Sequence, residues 1–489
     1  MTNPTFFWHD YETWGADPRK DRAAQFAGVR TDYDFNVVDD PLIIYCKPAT
    51  DVLPHPEACL ITGITPQLAE QKGVSEALFV DMIHEQLSQP ETCTLGYNSL
   101  RFDDEVTRNA LYRNFYDPYA REWQNGNSRW DLIDIARAAR ALRPEGIQWP
   151  VDESGKPSFR LEQLTKDNDI THESAHDALS DVYATIAIAK LIRKAQPKLY
   201  DFLFQHRNKT KALDLLQLGS FKPVVHISGK YPALKNCLAI VLPICKHPTN
   251  TNGVIVYDLS IDPTPMLSLS VEDIKQRIFT ATVDLPEGVE RIPLKTVHIN
   301  KCPVLAPISV IRPADAQRLH IDLAECRAKV EKIKAAVDLP EKLAAVFSDN
   351  TYESESKSDP DLALYSGGFF SAADKQKMAK IRHLATDKIA NSQFHFEDNR
   401  LPEMLFRYRA RNFPETLSTD EKLQWRQFCI NRLTGVEPGA SITLDNYFTC
   451  LNDKRHEQNA NNAILDALED YAKDKMRHLG MPFLDSNFT

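Results

Sequence analysis

The sequence predicts a multidomain α/β protein: an α/β domain over residues 1–197, a β-rich middle domain with a helical extension over 198–350, and a helical domain over 351–489. Three observations carry this. A chain of 489 residues exceeds what one hydrophobic core organises. Strand-like runs followed by alternating helices and strands fill the first 197 residues. Short β-rich runs then occupy Lys222 to His298, and beyond the polar stretch at 348–361 nearly everything has helical periodicity. Apolar residues at 43% and charged residues at 26% are the profile of a globular chain, not a disordered or fibrous one.

The elements follow in order. Residues 5–11 (TFFWHDY) read as an aromatic-rich strand. Asp34 to Pro48 holds two apolar runs, FNVV and LIIYC, split by DDP, which predicts a hairpin. A helix is expected over Ser75–Leu87, a strand over Thr92–Tyr97, and helices over Asp103–Arg113, Asp131–Leu142 and Ser174–Lys194. In the middle region KPVVHIS, CLAIVLPIC, NGVIVYDLS and PLKTVHIN are separated by proline, glycine and asparagine turns, and predict a small twisted sheet or barrel. A helical piece follows from Pro313 to Phe347, and 348–361 is the expected linker. The last helix is expected from His456 to Leu479, with Ala460, Ile464, Leu468 and Tyr471 on one face and Gly480 at its C-terminal cap.

Composition narrows the function classes. The longest nearly apolar stretch, Cys237–Cys245, is too short to span a bilayer and contains Pro243. The opening MTNPTFFWHDYET has no cationic stretch before a long apolar run, so no secretory signal peptide is expected. Nine scattered cysteines never form C-x-x-C, which argues for a reducing compartment, and the expected location is cytoplasmic. The net charge of -10 lies wholly in residues 1–200, which hold 21 Lys and Arg against 31 Asp and Glu. Net positive charge, the usual mark of a nucleic-acid binder, is missing, but a local basic groove and an acidic metal site are compatible with this total.

Asp10 and Glu12 are two apart on the opening strand, so both carboxylates share one face with backbones about 6–7 Å apart. Beside the apolar Phe6, Phe7 and Trp8 they repel each other, and a divalent cation between them is the simplest remedy; exposed edge carboxylates are the alternative. Asp103, Asp104 and Glu105 open a helix, where acids also serve as dipole partners. In HESAHDALSDVYATIAIAK, Ser174 with Asp177 resembles a capping box, and Ala178, Val182, Ile186 and Ala189 form the buried stripe. Asp181 lies beside that stripe, where a lone carboxylate is costly. His176 is expected in the first turn, projecting toward a ligand near Asp181 or, alternatively, into solvent as a helix cap. Residues 172–176 also match H-E-x-x-H formally, but the cap-like Ser174 in the middle argues against a zinc protease.

The ordered set Asp10-x-Glu12, Asn98-x-x-x-Phe102-Asp103 and His176-x-x-x-x-Asp181 resembles the three motifs of the DEDDh 3′→5′ exonucleases. HDYET at 9–13, ALRPEG at 141–146, PSFRLEQLTK at 157–166, SAHDALSDVYATIAIAK at 174–190, VHINKCPVLA at 297–306 and RYRARNFP at 407–414 are similar to the bacterial exodeoxyribonuclease I family over almost the full chain. The resemblance implies a ribonuclease H-like exonuclease domain, an SH3-like middle domain and a helical C-terminal domain closing around single-stranded DNA. It implies that Asp10, Glu12, Asp103 and Asp181 are metal ligands and His176 the catalytic base, and that the activity serves recombination and mismatch repair. Arg160 falls in the segment lining the family's active site, where a phosphate contact is expected. Arg143 falls where the family docks the acidic, Phe-terminated tail of the single-stranded DNA-binding protein.

Phosphodiester hydrolysis needs a strong nucleophile and positive charge around the phosphoryl oxygens, which two Mg²⁺ ions roughly 4 Å apart supply. All-oxygen ligands suit Mg²⁺, with Mn²⁺ as a substitute, and histidine is the residue type suited to taking a proton near neutral pH. Glu12, Trp14 and Phe102 near the metals, with Arg160 and Lys222, are the candidates for strand contacts, aromatic and cationic groups being what single strands require. Arg407-x-Arg409-x-Arg411 spreads its guanidiniums over different helix faces and need not be a DNA stripe. The expected function is a 3′→5′ exonuclease releasing 5′-mononucleotides from single-stranded DNA. A related exonuclease acting on RNA or in proofreading, and a non-catalytic single-stranded DNA-binding protein, are the alternatives. A three-domain monomer needs no partner chain.

Overall fold

The computed structural model describes residues 3–172, 176–348 and 359–482. The chain forms two compact units: Met1–Ser128, Glu173–Tyr183 and Ser354–Thr489 in one, Arg129–His172 and Ala184–Glu353 in the other.

The first unit is built on strands β1 (Thr5–Thr13), β2 (Ala23–Thr31), β3 (Leu42–Tyr45) and β4 (Thr92–Gly96) in the sheet order β3-β2-β1-β4, and β5 (Ser128–Asp131) begins at Ser128 and continues into the second unit. β1 runs antiparallel to β2 from Phe6↔Thr31 to Thr13↔Ala23, but parallel to β4 only over Thr5↔Thr92 to Trp8↔Leu95. Its last five residues therefore extend past β4. The expected hairpin is corrected here: β3 pairs with β2, and Val37 makes only an isolated bridge to Thr31. The missed strand AAQFAGVRT is rich in small residues with low strand preference. Their size is what the site requires, because a Cβ on Gly28 would lie 2.4 Å from the Phe7 ring.

Helices α1 (Glu76–Leu87) and α2 (Asp103–Arg113) match the expected spans to within a residue. Helix α3 (Ala178–Ala195) starts four residues later than expected. His176 has φ 65°, a left-handed conformation that cannot belong to a right-handed helix, so it precedes the first turn. The cap is Asp177, whose carboxylate accepts from the Ser180 N–H at 3.2 Å, while Ser174 lies outside the described residues. Ala178, Val182, Ile186 and Ala189 are buried as the stripe requires.

The first unit also holds the C-terminal helices Ala372–Arg382, Leu401–Asn412, Thr419–Leu433, Leu444–Arg455 and Asn462–His478. The last begins six residues later than expected because the Asn461 side chain caps it at Ile464 N–H; Ala460 lies outside it, and Gly480, with φ 59°, follows its end. The linker expectation is also corrected at its C-terminal edge. Residues 349–358 are outside the described set, but Asp359 and Asp361 are buried among arginines. Arg407 donates to Asp359 and Asp361, Arg411 to Asp51 and Asp361, and Arg432 to Asp51 and Asp359, while Arg409 pairs with Glu421. The 407/409/411 triplet is thus spent on internal ion pairs.

In the second unit all four expected β runs are strands: β6 (Val224–Ile227), β7 (Leu238–Lys246), β8 (Gly253–Asp258) and β9 (Leu294–His298), joined by β10 (Val304–Pro307). They form an antiparallel sheet of order β10-β6-β7-β8-β9 over a core that includes Val224, Val241, Val256 and Val297. Pro243 is tolerated inside β7 because the register shifts there. Helices Pro313–Arg318, Leu323–Ala335 and Leu339–Val346 make up the helical extension. All nine cysteines are free, and among the described residues no helix is long and apolar enough to cross a membrane.

Candidate active site

The site forms where β1 outruns β4. Beyond Trp8 the β4 side of β1 has no ladder partner among the described residues, and the Tyr11 N–H donates instead to the Asp103 carboxylate at 3.1 Å. That bond draws the N-terminus of α2 to the strand carrying Asp10 and Glu12. The turn before α2 is made by Asn98, left-handed at φ 64°, and by hydrogen bonds from Arg101 N to Asn98 O and from Asp104 N to Ser99 O. α3 brings the third group: ligand oxygens of Asp10, Glu12 and Asp181 all lie within 4.8 Å of one another. Asp103 stands outside that trio but is the carboxylate acting most strongly on Asp10.

Electrostatics explain what such a cluster needs. Burial, then Asp103, Glu12, Asp181 and Asp177, push Asp10 well above the carboxylate range. Burial and the charges of Asp181, Asp103 and Asp177 raise Glu12 to about 8. Burial raises Asp103 to about 8 against the pull of the Tyr11 N–H and Arg121. The neighbours acting most strongly on Asp10 and Glu12 are all carboxylates, so the cluster ionises together only around a cation. Hard oxygen donors at this spacing fit a divalent ion. Asp177 is an acid that reading the sequence assigned to capping alone; its pull on Asp10 and Glu12 depends on the fold.

A pH prediction follows from these directions. Without metal, Glu12 and Asp103 keep their protons to about pH 8 in the folded chain but lose them near pH 4 when unfolded. Their contribution to stability is therefore full below pH 4 and is lost as pH rises toward 8. A divalent cation binds the ionised forms and reverses the loss, so added Mg²⁺ should raise the melting temperature more at pH 8 than at pH 6. Calorimetry with Mg²⁺ against EDTA reads this directly; equal increments at both pH values would contradict the assignment.

The other expected residues fall in different places. His176 is exposed and lies two residues ahead of α3, in the connection that leads to Asp181. Phe102 is half-buried at the N-terminal boundary of α2, packed against the core cluster that includes Phe7 and Tyr11. Trp14 is a correction: at 2% exposure it packs with Leu53, Tyr447, Leu468 and Tyr471, and has no face to offer a base. An aromatic beside a catalytic motif reads alike in sequence whether it faces the groove or the core.

Arg160 and Arg143 belong to the second unit. Arg160 is exposed immediately before the helix Leu161–Asp167. Arg143 donates to Asp315 at 3.2 Å and to the Val310 carbonyl at 3.0 Å. Arg312 and Arg318 pair with the same Asp315, so three guanidiniums share one buried carboxylate. Arg312 and Arg318 have no motif that would single them out.

An α/β sheet whose overhanging strand and two helix starts gather four acids makes a site suited to a divalent cation. Comparisons with known proteins specify it further. Residues 7–189 match the family model described as Exonuclease, 207–349 the Exonuclease I SH3-like domain, and 358–475 the Exonuclease I C-terminal domain. The chain is 47% identical over 441 residues to exodeoxyribonuclease I of Haemophilus influenzae, covering 90% of this chain and 93% of that one. It resembles the crystal structure of Escherichia coli exonuclease I in complex with a dA16 oligonucleotide, with 46% identity, a TM-score of 0.92 and coverage of 97% and 100% of the two chains. A solved ExoI/SSB-Ct complex matches with 45% identity, a TM-score of 0.89 and the same coverage. The chain belongs to the exodeoxyribonuclease I family and is a divalent-metal-dependent exonuclease.

Proposed function

We propose that this chain degrades single-stranded DNA from its 3′ end, releasing 5′-mononucleotides, with Asp10, Glu12, Asp103 and Asp181 as ligands for two Mg²⁺ ions and His176 as general base. The observation that carries the reading is the convergence of Asp10, Glu12 and Asp181 within 4.8 Å, with the charge of Asp103 acting on Asp10, in a chain related over 90% of its length to exodeoxyribonuclease I. Bound at such carboxylates, Mg²⁺ or Mn²⁺ acidifies water and offsets charge on the phosphoryl and leaving oxygens. Tyr11 orients Asp103 through its backbone N–H. Asp10, on which Asp103, Glu12 and Asp181 all act, would hold the cation together with them. His176, exposed ahead of α3, takes the proton of the attacking water.

Glu12, Phe102 and Arg160 are assigned to strand contacts, Arg160 through a phosphate. The Arg143–Arg312–Arg318 group supports docking of the acidic C-terminal tail of the single-stranded DNA-binding protein, because Asp315 and Glu145 still leave its three cations in excess. We assign the chain to the cytoplasm and retain the domain spans 1–197, 198–350 and 351–489, which the three family matches support.

His176→Ala separates base from ligands. We expect kcat on a 5′-labelled strand to fall by about 10²–10⁴-fold, with Mn²⁺ affinity by calorimetry unchanged. Full activity in the variant would remove His176 from the mechanism.

A further inference from the structure

Asp104, next to the proposed ligand Asp103, is buried in the protein. It is 2% exposed, and its Oδ1 accepts from Arg121 Nη2 at 2.5 Å. Arg121 has a completely buried side chain, and its Nη1 donates to Thr94 Oγ1 at 3.3 Å. One guanidinium thus ties the first turn of α2 to β4, at the point where β4 stops pairing with β1. The chain around Arg121 is itself pinned: Asn127 Nδ2 donates to the Arg121 carbonyl at 3.4 Å, and Asn127 Oδ1 accepts from Thr92 N at 3.0 Å.

A buried ion pair is a poor means of adding stability, since an apolar pair of similar volume is often as good or better. What it provides is direction: a planar fork accepts a carboxylate in a narrow range of orientations. Asp103 follows from that orientation by one peptide. Its carboxylate can reach both the Tyr11 N–H and the acids of β1 only if the first turn of α2 keeps its rotation about the helix axis. Of the charges acting on Asp103, Arg121 is the cation, and it also acts on His9 and Tyr11, the strand residues that flank Asp10.

We infer that Arg121, clamped between Asp104 and Thr94, is a positioning residue for the metal site, holding the first turn of α2 so that Asp103 completes the carboxylate set. This rests on the reading of Asp103 as a metal ligand.

The decisive variant is Arg121→Met with Asp104→Leu, which fills the same space without the directional pair. We expect it to fold with a melting temperature close to the parent's, to bind Mn²⁺ about 10–100-fold more weakly by calorimetry, and to lose kcat by a similar factor. KM for the strand should move less than roughly threefold, because the strand contacts are untouched. A purely structural pair would lower stability and spare Mn²⁺ affinity; a folded double variant with parental affinity and kcat overturns the inference. Should the double variant not fold, Arg121→Lys decides: charge kept and fork lost, it should still weaken Mn²⁺ binding, and parental affinity rejects the proposal. Asp103→Asn run in parallel distinguishes the two levels. If it leaves Mn²⁺ affinity unchanged, the ligand reading itself fails and takes the inference with it; if it weakens binding while the Arg121 variants do not, only the positioning role is lost.

Discussion

Asp10→Asn should shorten a 5′-labelled single strand about a thousand-fold more slowly than the parent protein, while melting in EDTA at pH 8 at the same or a higher temperature. The substitution keeps the shape of the side chain and removes one charge from a cluster in which every strong neighbour of Asp10 is a carboxylate. Lost metal-borne charge stabilisation is worth several kcal/mol, and each ~1.4 kcal/mol is tenfold in rate, which sets the size of the effect. The stability half follows from the same repulsion: an acid pushed well above its usual range is strained when ionised, and an amide is not. Single-turnover rates with Mg²⁺ and a paired thermal melt in EDTA test both halves. An active variant would remove Asp10 from the chemistry; an inactive but markedly less stable one would make it a structural residue.

The second large effect lies away from the chemistry. Asp51→Ala should destabilise the first unit by about 3–5 kcal/mol, the cost of leaving buried charges without a partner. Asp51 is fully buried, receives Arg411 and Arg432 at 2.7 Å each, and has Arg22 at 3.9 Å. Arg22 and Arg113 in turn hold Glu76 at 2.6 and 2.9 Å. Burial alone would raise these acids, but the arginines win, holding Asp51 well below its usual range and Glu76 at about 2. Stability from such depressed groups is fully present above about pH 4 and disappears as pH falls through the folded-state values. The difference between Asp51→Ala and the parent should therefore be widest near pH 7 and shrink toward pH 2. Calorimetric melts across that range read it; a gap that stays constant with pH would mean the loss comes from packing, not charge.

Much of this protein is legible in its amino-acid order. The strand–helix contexts of Asp10, Glu12, Asp103 and Asp181 depend on period-two and helical patterning, which are local, and α1, α2 and four strands of the second sheet sit where patterning places them. Local signals failed where the deciding partner is distant. β2 is a strand because aromatic residues of β1 need a flat, small-residue neighbour, not because AAQFAGVRT prefers to be extended. The polar run ending in Asp359 and Asp361 reads as linker until Arg407, Arg411 and Arg432 are placed beside it.

By itself, then, the sequence determined which acids exist, their order, the side of the strand they share, and the family to which they belong, because these rest on chemistry within a few residues of each position. Only the tertiary structure decided that Trp14 is core, that Arg407 and Arg411 neutralise buried aspartates, that Asp177 adds its charge to the site, and that Arg121 pairs with Asp104. The physical reason is range. Burial and charge pairing are properties of neighbours in space, and for these groups the neighbours lie 17 to more than 400 residues away along the chain.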